Sequence, residues 1–175
     1  FIFLRVQGGS QLDNIHSKLS RPKVQEFLRN ADFVLIHLFN HFFGFRESVK
    51  KAFNVSTVHE RIVNIYDAFT QHVKEKADII WLAPPVPVPK FGDTRDFALL
   101  SRFQSEERYF RLHQELLSRL RPRNENLLYI DKWSLTKSCK NSPNVVCYTD
   151  SIHSTPIVNK VVAQVFLNYA CKPRK

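Results

Sequence analysis

Apolar positions along the chain alternate between two spacings. Phe1–Val6 reads as a strand ending at Gly8-Gly9, and Leu12, Ile15 and Leu19 then step by three and four along a short helical face. Pro22 interrupts that face, and Val24, Phe27 and Leu28 continue it as a second short helix. Phe33–Phe39 is an unbroken apolar run, the pattern of a strand buried on both faces. Residues 41–56 are irregular and aromatic. Val58, Ile62, Tyr66, Phe69 and Val73 return to amphipathic helical spacing. Asp78–Ala83 predicts a second buried strand, after which Pro84, Pro85, Pro87 and Pro89 prohibit regular structure, and residues 90–100 read as loop. A helix over Gln104–Leu120 turns Phe110, Leu116, Leu117 and Leu120 inward. Leu127–Ile130 is a strand, and residues 134–149 read as a polar loop carrying two cysteines. The last helix runs from Pro156 to about Tyr169, capped by Thr155, with Val158, Val161, Val162, Val165, Phe166 and Tyr169 on its apolar side.

Strands alternating with helices imply an α/β fold: a three-layer sandwich in which helices cover both faces of a central parallel sheet. Sites in such folds gather at the C-terminal ends of the strands. That rule places Gly8–Ser10, Leu38–His41, Ala83–Pro85, Asp131 and the Asp150–His153 loop on one rim. A length of 175 residues predicts one domain, 1–175. Because the chain opens inside a strand pattern, it is expected to be part of a longer protein.

Charge changes this picture more than composition does. The apolar fraction of 43% is ordinary, and no apolar stretch approaches a membrane span. Lys and Arg number 26 against 16 Asp and Glu, a net charge of +10. Such an excess favours polyanionic partners, nucleic acid foremost. Basic residues concentrate at Lys18, Arg21, Lys23 and Arg29, at Arg102, Arg108, Arg111, Arg119, Arg121 and Arg123, and in the tail at Lys172, Arg174 and Lys175, with Arg5 near the start. Glu106, Glu107 and Glu115 dilute the second group. The nucleic-acid-binding set is therefore expected to be Arg5, Lys18, Arg21, Lys23, Arg29, Lys172, Arg174 and Lys175, contacting backbone phosphates. Cys139, Cys147 and Cys171 show neither a disulfide framework nor metal spacing. The expectation is reduced, buried thiols in a cytoplasmic protein. The histidines lack metal spacing too, and no metal or cofactor is expected.

One constellation points to other chemistry. Asp150-Ser151-Ile152-His153 directly precedes the last helix, and an Asp and a His so placed can act as orienter and general base of an acyl-transfer triad. Ser10, after two glycines, is the available nucleophile, and Asn40 a donor into an oxyanion hole. Each also has a plain structural reading: a capped loop, a turn serine, a strand-end cap. Phe42, Phe43 and Phe45 follow a rim strand, where they could stack on bases or plug an acyl pocket.

Over nearly the whole chain these blocks resemble the SGNH/GDSL hydrolase superfamily. Val6-Gln7-Gly8-Gly9-Ser10 is similar to its second block, and Phe33–His41, ending Leu38-Phe39-Asn40-His41, to the strand that ends Gly-x-Asn-Asp. Ile79–Pro85 and Leu128–Trp133 resemble the two following strands, and Asp150–Pro156 the last block with its Pro-started helix. The resemblance implies an SGNH hydrolase-like sheet of flavodoxin-like order. The departures are Leu38 for Gly, His41 for Asp, Ser151 for Gly, and no Gly-Asp-Ser first block. Two registers stay open: Gly9-Ser10 as a degenerate first block, or Gly8-Gly9 as the second with the first strand upstream.

Degenerate blocks joined to strong positive charge resemble the non-catalytic, RNA-binding Oskar-type branch of that superfamily. The resemblance implies a pseudoenzyme that binds mRNA, through 3′ UTR-type targets, within a ribonucleoprotein or germ-plasm granule, with protein partners there. The competing expectation is an active esterase or deacylase, with Ser10 or an upstream serine as nucleophile, His153 as base, Asp150 as orienter and Asn40 in the oxyanion hole.

Overall fold

The computed structural model describes residues 12–38, 54–86, 106–124, 127–140, 146–149 and 154–171. In chain order these form helices α1 (Leu12–Leu19) and α2 (Pro22–Asn30), strand β1 (Phe33–Ile36), helix α3 (Val55–Thr70), strand β2 (Asp78–Leu82), helix α4 (Glu106–Leu120), strand β3 (Leu127–Ile130), and helices α5 (Lys132–Lys140) and α6 (Pro156–Ala170). The expected Phe1–Val6 strand, the aromatic run at 42–45 and the loop at 90–100 lie outside the described residues.

The three strands form a parallel sheet in the order β1-β2-β3. Phe33 is opposite Asp78 and Ile36 opposite Trp81, while Ile79 is opposite Leu127 and Leu82 opposite Ile130. This register sorts side chains onto two faces, because successive residues of a strand point oppositely. On one face Val34, Ile36, Ile79 and Trp81 pack with Ile15, Leu19 and Leu28 of the first helices, Ile62, Ile65 and Tyr66 of α3, and Leu116 and Leu120 of α4. On the other, Ile80, Leu82 and Ile130 pack with Val162, Phe166 and Tyr169 of α6. The expected layering, helices on both faces of a parallel sheet, is therefore present in the described elements.

Local chemistry sets several boundaries. Helix α3 begins three residues before its first expected position because Asn54 caps it: its Oδ1 accepts from the Ser56 and Thr57 amides at 2.8 and 3.4 Å. Residues 134–140, expected to be loop, belong to helix α5 (Lys132–Lys140). Asp131 Oδ1 accepts the Ser134 amide at 3.0 Å, and Trp133 and Thr136 turn into the core. The run from Phe33 was expected to be buried on both faces, but Leu35 is exposed, on the strand that ends the order of the described strands. The apolar side of α6 is narrower than expected: Val158 and Val162 are buried, whereas Val161 and Val165 face outward with Ile157.

The cysteines also depart from expectation. Cys139 and Cys147 form a disulfide across Cα atoms 6.0 Å apart, and Cys171 is free and exposed. The bond joins the end of α5 to the segment that leads into α6, a proximity set by the fold rather than by spacing. Disulfides persist in oxidising surroundings, so the cysteines lend the cytoplasmic expectation no support. No helix among the described residues is long and apolar enough to cross a membrane.

Candidate nucleic-acid interface

Helices α1 and α2 present a cationic surface for a simple reason. Leu19 and Leu28 are committed to the core, leaving the intervening polar positions outward. Pro22 starts α2 at its first turn, and Arg29 lies in its last turn, where a cation complements the helix C-terminus. Arg21, Lys23 and Arg29 are exposed and Lys18 is half-buried. None of the four forms an ion pair among the described residues; Arg29 reaches only the Gln25 amide oxygen, at 3.3 Å. Phe27 is 47% exposed and lies one turn from Lys23, an aromatic face left partly in water beside a cation.

The α4 cluster differs. Arg111 pairs with Glu107 at 3.3 Å, one turn back. Arg123 reaches Asp67 at 3.3 Å and donates to the Arg119 carbonyl at 2.6 Å. Its positive charge is thus partly neutralised within the fold. The Lys74–Asp32 pair does the same beside the sheet.

The C-terminal strand ends form a second polar region. Behind β2, the Val86 amide donates to Thr136 Oγ1 at 2.9 Å, tying the proline segment to α5. Leu38, just past β1, is buried at 3% exposure. At the end of β3, Asp131 caps α5 and Lys132 turns inward, 6% exposed. The Lys132 ammonium donates to Asn159 Oδ1 at 3.4 Å, and Asn159 Nδ2 donates to the Ser154 carbonyl at 3.2 Å. Burial lowers the Lys132 amine to about 8. Thr155 heads α6 without a side-chain cap, and its hydroxyl instead donates to the Val146 carbonyl at 2.9 Å. Lys132 and Ser154 were not among the expected site residues. The one sequence signal was a Lys directly after a strand, at the rim where sites gather.

Beneath the sheet's first face, Trp81 Nε1 donates to His113 Nε2 at 2.9 Å, both fully buried. Burial holds this imidazole down at about 3, with Asp131 acting weakly in the opposite direction. His113 is therefore neutral, with its proton on Nδ1, in a stack with Trp81 and Tyr129. It is a core histidine, as is buried His59.

Of the expected site residues, Lys18, Arg21, Lys23 and Arg29 are brought together on one helical layer. Arg5, Lys172, Arg174 and Lys175 lie outside the described residues, as do Ser10, Asn40, Asp150 and His153. No group of three or more His, Cys, Asp or Glu among the described residues could hold a metal ion. No family model, no curated protein and no solved structure matches this chain.

Proposed function

We propose that this chain is a non-catalytic, SGNH hydrolase-like domain that binds single-stranded RNA through the α1–α2 face. The observation that carries the reading is the set of four cations on the α1–α2 layer, Lys18, Arg21, Lys23 and Arg29, without an ion pair among the described residues, with an exposed Phe27 one turn from Lys23. Unneutralised cations bind phosphates and release counterions, and an exposed aromatic ring gives bases a stacking surface. The better-paired α4 cations make a weaker claim. Strands β1–β3 stand for the last three strands of a flavodoxin-like order, flanked as that order requires. Loss of catalysis is supported by Leu38, whose buried side chain fills a strand exit where the hydrolases have a glycine. The natural ligand is mRNA held in a ribonucleoprotein granule of the cytoplasm, germ plasm included, with protein partners alongside.

The test is fluorescence anisotropy with a labelled single-stranded RNA over a series of salt concentrations. The paired change Lys23→Glu and Arg29→Glu is expected to weaken binding at least tenfold, whereas Arg111→Glu changes it little. Flat anisotropy at low salt, or equal losses in both variants, would overturn the assignment to α1–α2. Labelling of the chain by a fluorophosphonate probe would overturn the non-catalytic part.

A further inference from the structure

A lysine amine in this fold is placed where its charge is poorly matched. Lys132 is 94% removed from solvent, and among the described residues its acceptor is Asn159 Oδ1, at 3.4 Å. An ammonium carries three donors, and ordinary N–H···O bonds are shorter, about 2.7–3.2 Å. Its setting is also positive. Asn159 lies in the first turns of α6, a helix of 15 residues whose N-terminus carries partial positive charge and orphan amides. The Thr155 side chain accepts from none of those amides, and its hydroxyl donates to the Val146 carbonyl. Ser154, two residues before that helix begins, has its hydroxyl oxygen buried with no hydrogen-bond partner among the described residues. It is linked to Lys132 through Asn159.

A buried cation with one long hydrogen bond, a buried hydroxyl without a partner among the described residues and a helix N-terminus without a side-chain cap, on one connected set of residues, offer more donors than acceptors. Burying a charge without a counter-charge is costly, and each donor here would be satisfied by the same small oxyanion. We propose that Lys132, Ser154, Asn159 and the N-terminus of α6 form a binding site for a phosphate group, at the C-terminal rim of the sheet. The near-complete burial of Lys132 selects the form of phosphate. A backbone diester carries a sugar on both sides and cannot reach an amine so enclosed. Free phosphate, or the terminal monoester of a longer ligand, enters end-on and brings nearly two negative charges. This site is separate from α1–α2 and goes beyond the RNA-binding reading.

Thermal unfolding of the 175-residue chain in inorganic phosphate, against chloride at equal ionic strength, tests the site. A ligand bound only by the folded state raises Tm. The expected rise is roughly 2–4 °C or more, the shift that about 1 kcal/mol produces in a chain of this size. Lys132→Met should abolish the phosphate-specific rise. Asn159→Asp should abolish it too while raising Tm in chloride, because the new carboxylate supplies the missing counter-charge. No phosphate-specific rise in the wild type, or an equal rise in Lys132→Met, would overturn the proposal. A second arm compares short RNAs with and without a 5′-phosphate. Tighter binding of the phosphorylated RNA, lost in Lys132→Met, identifies a terminal phosphate of RNA as the source. Equal binding of the two, with the inorganic phosphate effect intact, identifies a free small anion. Loss of RNA binding on its own leaves the phosphate result standing, so the two readings fail separately.

Discussion

His113 shows how a single buried side chain writes a pH dependence into the whole molecule. Fully enclosed beside Trp81, it accepts the indole N–H and stays neutral, its pKa held down at about 3 by burial. The unfolded chain offers the ordinary value near 6.5, so below that pH it binds more protons than the folded chain. This contribution to stability is complete above about pH 6.5 and is lost as pH falls towards 3, at about 1.4 kcal/mol per pH unit. His59, lowered by burial and then by Arg119, acts in the same direction. Urea midpoints are therefore expected to fall between pH 7 and pH 5. His113→Gln keeps an acceptor for Trp81 and does not titrate, so it should flatten that fall; an unchanged slope would remove His113 as its source.

At the scale of elements, helix ends and their connections decide more than helix interiors do. The Cys139–Cys147 bond closes a short loop between α5 and the approach to α6. Closing a loop of that length restricts the unfolded chain and is worth about 2–3 kcal/mol. Cys139→Ser should lower the urea midpoint accordingly, and reductant should lower the wild type to the same value. Mass spectrometry after alkylation of the unreduced, unfolded chain should find one modified thiol, Cys171; three would contradict the bond. Helix α2 carries the complementary case, a half-exposed ring outside the core clusters of the described residues. Stacking on a base contributes about 1–3 kcal/mol, so Phe27→Ala should weaken single-stranded RNA binding by roughly 5- to 100-fold. Because Phe27 is 47% exposed, Tm should barely change, and a large drop would show that the ring serves the core.

For the whole molecule, the distribution of charge matters more than its sum. A net charge of +10 attracts any polyanion. The fold then separates the paired cations on and just after α4, Arg111 and Arg123, from those of the α1–α2 layer that are free of ion pairs among the described residues. Each phosphate contact to a single strand contributes about −0.7 to the slope of log K against log salt, so four cations give about −3. Lys23→Ala should make that slope shallower by about 0.7, and Arg111→Ala should leave it alone. Equal changes in both would mean that the bulk charge, rather than one face, binds.

The amino-acid sequence by itself determined the elements whose cause is local. Leu127–Ile130 and Asp78–Leu82 emerge from continuous apolar runs, and α3, α4 and α6 from three-and-four spacing, since burial on a sheet imposes those periods. The parallel, three-layer arrangement followed from the alternation alone. It also singled out the α1–α2 cations, because charge is a property of composition. Tertiary structure decided the rest. Helix α5 rests on a cap from Asp131 and on anchors at Trp133 and Thr136 whose partners are distant in the chain. The disulfide joins cysteines whose spacing announces nothing, and Val161 faces water although its period matches that of buried Val158 and Val162. Lys132 reads as one more surface cation until α6 is laid across the end of β3 and takes its amine out of water. Period and charge are local quantities, whereas burial depends on which distant segment comes to lie against a residue.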